Sequence, residues 1–202
     1  MTGEDAALLE RCMSVGGVAV FPADNVYGLA CEPEDKEAVR RVYALKGLVP
    51  DRPAAIMFFD VSLALEAVPE VGPKTLEALG RILPGEVTVV LPNPAGRFPL
   101  ACSGAPGMLA LRVPHLTGPL APLVDVRWPV LQTSATSNGG ADATTVEQVP
   151  IGIREGCDLV LDGGELTGTP STVVDLRDYE DSGAWTIIRE GGLPLERLEE
   201  LL

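Results

Sequence analysis

Two hydrophobic periods run along this chain, and where each occurs predicts its elements. Thr2 caps a segment reaching about Ser14, with Asp5 at the third helical position and Gly16-Gly17 as the stop. The apolar run Gly17-Val18-Ala19-Val20-Phe21 follows, carrying β-branched valines and closed by Pro22, which predicts a buried strand. Across 34–46, Val39, Val42, Tyr43 and Leu45 recur at near-helical spacing before Gly47, and Arg40, Arg41 and Lys46 suit the negative end of that helix. Residues 54–59 read as a second buried strand, and Asp60 and Gly72-Pro73 introduce helices reaching about Ala67 and Leu83.

Further strands are predicted at 87–91, 109–113 and 130–133, with a helix at 116–124 between the last two. Thr144-Thr145-Val146-Glu147 starts another helix, strands follow at 158–161, 172–176 and 186–189, and a helix spans 195–202. Helices and strands alternate at first and strands crowd the second half. That pattern predicts an α/β fold, a twisted mixed sheet flanked by helices, in a single domain over 1–202. No repeat or low-complexity linker divides the chain. Residues 92–106, rich in Gly and Pro, read as the loosest region and a candidate lid.

Composition narrows the function classes. With 202 residues, 46% hydrophobic and 22% charged, the chain is an ordinary globular one with enough length for a sizeable core. No apolar run approaches the roughly 20 residues that span a bilayer, and Met1-Thr2-Gly3-Glu4-Asp5 lacks a basic start, so a cytoplasmic protein is expected. Fifteen Lys and Arg face 29 Asp and Glu, a formal charge of −14, which argues against direct nucleic-acid binding. A polyphosphate site must then gather its few cations locally. Cys12, Cys31, Cys102 and Cys157 are widely spaced and His115 is the lone histidine, so buried small hydrophobes rather than metal ligands are expected of the thiols, and a loop position of His115.

The densest local chemistry is Pro22-Ala23-Asp24-Asn25-Val26-Tyr27-Gly28-Leu29. One reading is a turn, with Asp and Asn as turn formers and Gly28 supplying a positive φ. The other is a ligand loop at the end of a strand, where α/β proteins bind substrates. The chain has no Walker A sequence, no G-x-G-x-x-G and no Ser/His/Asp or Cys/His set, so any phosphate site must come from scattered cations and hydroxyls.

That octapeptide resembles the opening motif of the YrdC-like family, whose best-known members are threonylcarbamoyl-AMP synthases. Further blocks follow in the family's order: Lys46-Gly47 with Arg52-Pro53, Pro84-Gly85-Glu86-Val87-Thr88, Arg112-Val113-Pro114, and Ser134-Ala135-Thr136-Ser137-Asn138-Gly139. Ser171-Thr172-Val173-Val174-Asp175 and Ile188-Arg189-Glu190-Gly191 complete the set, and together they cover nearly the whole chain. The resemblance implies a YrdC-like fold. Some members carry an added C-terminal domain, and this chain ends too soon after Arg189 for one to be expected.

By the same resemblance, Lys46, Arg52, Ser134 and Arg189 are expected at ATP, with Thr136 and Asn138 as further loop contacts. Asn25, Arg112 and Ser171 are expected at an amino-acid substrate, where a guanidinium fork suits a carboxylate. The chain departs from the family pattern at four places. Leu48 stands for the second cation of Lys-x-Arg, Thr136 for the asparagine of Ser-x-Asn, Asn25 for a threonine, and Met57 for a frequent histidine.

The implied reaction is ATP-dependent adenylylation of a carbamate made from bicarbonate and an amino acid, L-threonine by resemblance. Magnesium is expected with the triphosphate, no dedicated metal ligand or catalytic base is expected, and a tRNA-modifying transferase is the expected recipient. Two alternatives stay open: a relative that adenylylates another carbamoyl or carboxyl compound, and a non-catalytic nucleotide- or RNA-binding protein. RNA binding has been associated with the family.

Overall fold

The computed structural model describes residues 1–49, 51–138 and 140–202. Its helices are α1 (Gly3–Ser14), α2 (Lys36–Leu45), α3 (Val61–Glu66), α4 (Pro73–Ile82), α5 (Ile151–Gly156), α6 (Tyr179–Ser182) and α7 (Leu195–Leu201). Its strands are β1 (Val18–Pro22), β2 (Tyr27–Cys31), β3 (Ala55–Met57), β4 (Val87–Pro92) and β5 (Met108–Arg112), then β6 (Val130–Ser134), β7 (Leu159–Val160), β8 (Thr172–Asp175) and β9 (Thr186–Arg189). Among the described residues these nine strands form one mixed sheet in the order β7-β1-β2-β6-β3-β5-β4-β8-β9. The expected α/β architecture, a single twisted sheet with flanking helices, is what the chain adopts.

Thr2 and Asp5 exchange hydrogen bonds as a capping box, and Asp35 and Asp60 cap α2 and α3 through their carboxylates. Four expectations change. Residues 22–29 are not one loop: the turn is confined to 23–26, closed by Ala23 N–H donating to Val26 O at 3.0 Å, and Tyr27 already begins β2. The strand was hidden because Gly28 and Ala30 alternate with Tyr27, Leu29 and Cys31 and so blur its period.

The 116–124 helix is a 3₁₀ helix over Gly118–Asp125, since Pro119 and Pro122 withhold the N–H groups an α-helix needs. Thr144–Glu147 yields only the 3₁₀ turn Val146–Gln148; Pro150 interrupts it and α5 starts afresh. Residues 92–106 are anchored: Asn93 Nδ2 donates to Arg97 O and Asn93 Oδ1 accepts from Arg97 N–H, both at 2.9 Å, Arg97 pairs with Glu70, and Ala101 and Cys102 are buried.

The two faces of the sheet are covered unequally. Val18, Val20, Leu29, Ile56, Val87, Val89, Leu111, Leu131 and Val174 point to one side, where residues of α2 to α7 complete the larger core. Ala19, Phe21, Ala30, Met57 and Val130 point to the other, against Leu9 and Met13 of α1 and Leu120 and Leu123 of the 3₁₀ helix. That second cover reaches β7, β1, β2, β6 and β3, with Leu159 of β7 packed against it. On β4, β5 and β8 the same face carries Thr88, Val90, Ala110, Arg112 and Val173, which line a cleft instead of a core.

Gly28 sits inside this hairpin without a positive φ; the positive φ belongs to Asp24, at +80°. Glycine is required at 28 by space. A Cβ there lies 2.9 Å from Gln132 Nε2, 3.0 Å from Ala23 Cβ and 3.2 Å from the Phe21 ring. Gly28→Ala is therefore expected to destabilise the fold by about 1–3 kcal/mol through overpacking, read as a lower midpoint in urea unfolding with an unchanged slope.

Candidate functional site

The cleft over the uncovered half of the sheet has a volume of about 320 Å³. Its floor is small or polar because Ala55, Ala110, Thr88, Gln132 and Ser134 occupy the positions that larger apolar residues fill under α1. Pro53, Thr133, Ser134 and Asp142 also line a pocket of about 290 Å³ beside it, so the two share a wall. Thus β5 and β6 deliver side chains to the floor, while the chain after α2 and the loop after β6 build the adjoining pocket.

Lys46 and the Ser134 loop, 88 positions apart in sequence, meet here. Lys46 ends α2, and its buried Nζ donates to Ser134 O and to Thr136 O at 2.9 Å, with Ser134 Oγ at 3.4 Å. In return Asn138 N–H donates to Lys46 O at 3.1 Å, and the Ser134 and Thr136 hydroxyls lie 3.1 Å apart. An ammonium has three donors, and these three oxygens engage them. Burial pulls the Lys46 pKa down to about 8, with Asp142 opposing the shift. Lys46 thus holds the loop in place. Arg52 lines the same pocket as Leu48 with its side chain exposed, and no partner holds its guanidinium among the described residues. Gly139, the last residue of the Ser134 motif, lies outside the described residues.

At the other end of the cleft Arg112 is buried at the terminus of β5. Its guanidinium donates to Ala23 O at 3.3 Å and Gln132 Oε1 at 3.5 Å and stands 3.7 Å from Asp24 Oδ2. Asp24 Oδ2 and Arg112 Nε are nevertheless both buried without a hydrogen-bond partner. Burial pushes the Asp24 carboxyl up to about 6 against the pull of Arg112, and burial likewise lowers the Arg112 pKa against the pull of Asp24. Both shifts carry the sign of desolvation, so the pair's attraction does not compensate its loss of water. Asp24 is held there in the left-handed region, a backbone cost of about 1 kcal/mol.

Ser171 shares a 2.8 Å hydrogen bond with Thr88, and the exposed Arg189 donates to Ser171 O at 2.8 Å. Arg112, Ser134, Ser171 and Arg189 therefore line one cleft, and Lys46, Arg52, Thr136 and Asn138 line the pocket beside it. Asn25 falls elsewhere: its Nδ2 donates to Glu86 Oε1 at 2.6 Å, and both line a separate cleft of about 330 Å³ reached past Asp24. Met57 is sealed in the apolar cluster under α1 and lines none of these clefts.

Sequence reasoning did not single out Asp24, Glu86, Gln132 or Asp142. Gln132 had a signal, a polar residue at a buried alternation position of β6; the carboxylates had only their place in the motifs.

Cys31 and Cys102 are buried and Cys12 and Cys157 half-buried, all free, with burial pushing the thiols of Cys12 and Cys157 up to about 11 and about 12. They behave as small hydrophobes. His115 is an exposed loop residue. No group of three potential metal ligands occurs among the described residues, and Asp142 is the carboxylate that lines both the cleft and the pocket beside it. No helix described is long and apolar enough to cross a membrane.

The profile of the Sua5/YciO/YrdC domain, described as "Telomere recombination", matches residues 11–191. Threonylcarbamoyl-AMP synthase of Pyrococcus abyssi is 31% identical over 189 residues, which are 93% of this chain and 54% of that protein. The chain thus spans about half the length of this relative. The structure of P. abyssi Sua5 complexed with L-threonine superposes with a TM-score of 0.85 at 28% identity, covering 100% of this chain and 58% of that one. Escherichia coli YciO superposes with a TM-score of 0.77 at 25% identity, covering 98% of this chain and 94% of that one.

The Asp24 shift has a measurable sign. Between its ordinary value of 3.8 and about 6, the folded protein holds a proton that the unfolded chain has released, so Asp24 makes stability fall as pH rises through that window. The expected contribution is about 3 kcal/mol. Asp24→Asn, which tolerates the same backbone, removes it; the check is the difference between the two proteins' urea-unfolding free energies across pH 4 to 7.

Proposed function

The chain belongs to the Sua5/YciO/YrdC family, and on that premise we propose that it condenses ATP with the carbamate of an α-amino acid, releasing pyrophosphate. The observation that carries this reading is the pair of orphaned groups, Asp24 Oδ2 lacking a donor and Arg112 Nε lacking an acceptor, side by side and buried. A zwitterionic amino-acid head supplies both complements at once, its carboxylate to Arg112 and its amino group to Asp24. Binding then returns the hydrogen bonds that burial removed, each charged one worth about 1.5–3 kcal/mol. The L-threonine complexed with P. abyssi Sua5 supports an amino acid as ligand.

The ammonium first loses a proton to water, and the resulting amine and bicarbonate form the N-carboxy compound with loss of water. Its anionic oxygen attacks the α-phosphorus of ATP; the new P–O bond forms as the bond to the bridging oxygen breaks, and pyrophosphate leaves. The attacking oxygen is already anionic, so this step reduces to alignment and charge stabilisation. Arg112 orients the carboxylate, the Lys46-braced loop presents Ser134 and Thr136, and Arg52 and Arg189 face the phosphate charge from the two ends. Magnesium carried on ATP would shield the triphosphate beside Asp142.

The relatives' name makes L-threonine the first amino acid to test and L-threonylcarbamoyl-adenylate the corresponding product, for which a tRNA-modifying transferase is the proposed recipient. Pyrophosphate release that requires ATP, bicarbonate and an amino acid together is the expected result. Turnover indifferent to the amino acid overturns the reading, and saturable ATP binding without turnover favours a non-catalytic nucleotide binder.

In this reading Arg52 takes the part that Leu48 cannot. Arg52→Ala is expected to raise the KM for ATP about tenfold or more while leaving thermal stability unchanged, since its guanidinium braces nothing in the fold.

A further inference from the structure

Asp24 sits between two anchored neighbours. On one side Ala23 N–H donates to Val26 O at 3.0 Å, and Ala23 O accepts from the Arg112 guanidinium at 3.3 Å. On the other, Asn25 O accepts from Gly168 N–H at 2.8 Å, and Asn25 Nδ2 donates to Glu86 Oε1 at 2.6 Å. Between them Asp24 has a φ of +80° and a buried oxygen with no donor. An aspartate adopts neither state freely, so its anchors must hold it there.

The Asn25–Glu86 contact is the anchor with the longest reach. The two residues lie 61 positions apart, and β6, β3 and β5 stand between the β1–β2 hairpin and β4 in the sheet. Arg112 is carried on β5, the last of those three strands. Glu86 is itself fixed: its carbonyl accepts from Thr172 N–H at 3.0 Å, and Gly85 N–H donates at 2.9 Å to Val113 O, next to Arg112. Behind its carboxylate stands Gly192, where a Cβ would lie 2.6 Å from Glu86 Oε2. Glu86 thus belongs to the frame that holds Arg112, while Asn25 belongs to the turn that holds Asp24. An amide donating to a carboxylate makes one of the stronger hydrogen bonds, and Asn25 is buried enough that water competes little for it.

We propose that Asn25 and Glu86 are positioning residues of the amino-acid site. Their hydrogen bond latches the 23–26 turn to the frame of Arg112 and so keeps Asp24 dehydrated and beside the guanidinium. The inference rests on the preceding reading, in which that pair takes the head of the amino acid, and it gives Asn25 a part that needs no contact with the substrate. When the latch is lost, the strain at Asp24 relaxes and its carboxylate regains water.

The first test needs no substrate. Urea-unfolding free energies are measured from pH 4 to 7 for the unaltered protein, Asp24→Asn, Asn25→Ala and the double variant. The expected result is that Asp24→Asn changes the pH dependence less than about half as much in the Asn25→Ala background, because an unlatched Asp24 titrates near its ordinary value of 3.8. Arg112, Glu86 and His115 face Asp24 and are common to all four proteins, so their own titration cancels in the comparison. An equal effect of Asp24→Asn in both backgrounds overturns the latch.

The second test exchanges donor and acceptor, and serves if Asn25→Ala does not fold. Asn25→Asp sets two carboxylates against each other and is expected to raise the KM for L-threonine about tenfold or more, with the KM for ATP changed less than about twofold. Adding Glu86→Gln restores a donor facing an acceptor and should return the L-threonine KM to within about threefold of its original value. A double variant no better than Asn25→Asp, or an equal rise in both KM values, overturns the proposal. An unaltered protein whose turnover ignores the amino acid overturns the preceding reading instead, and the pH comparison then decides the latch alone.

Discussion

A wide sheet must bury two faces, and this chain covers only one of them fully. Six helices share the first face; the second has α1 and one 3₁₀ helix, enough for the strands on one side of the sheet and no more. The remaining strands resolve the mismatch by carrying small and polar residues where a core would need leucines. The cleft is thus the direct result of unequal cover, and every site residue is a strand position on that face or a loop at its rim. Coverage decides location; chemistry is then set by which side chains stand at the boundary.

At that boundary the Asp24–Arg112 pair is held by the fold in a state it does not favour. A buried ion pair stabilises only with good geometry and its remaining hydrogen bonds satisfied. Here the separation is 3.7 Å and two polar atoms are orphaned. Asp24 also carries an unfavourable φ. Such a concentration of unmet demand at one point is the usual structural mark of a ligand position. Lys46 shows the opposite arrangement, a buried cation whose donors are all engaged within the protein.

Much of the sheet was legible because its apolar runs are β-branched and bounded by Gly or Pro: β1, β4, β5, β6, β8 and β9 fall where the alternation predicts. β2 was not, since Gly28 and Ala30 carry too little hydrophobicity to mark a face, and the bare Cα of Gly28 answers to Gln132 and Phe21 on the neighbouring strands. The meeting of Lys46 with Ser134 follows from motif knowledge alone; no local pattern encodes a contact made by β6 threading between β2 and β3. The resemblance expects Asn25 and Arg112 at one substrate, but the two line different clefts, and no periodicity reports that.

The strand order has a consequence for biosynthesis. β6 lies between β2 and β3, yet roughly 100 residues separate the end of β2 from its start, so the β1–β2 hairpin emerges from the ribosome long before its neighbour exists. At about 5–20 residues per second, the edge of β2 waits on the order of 5–20 s with its ladder groups open. Gly28 and Ala30 give that edge little side-chain grip, so the register of β2 is pinned on this side only when β6 arrives to pair Gly28 with Ser134 and Ala30 with Gln132.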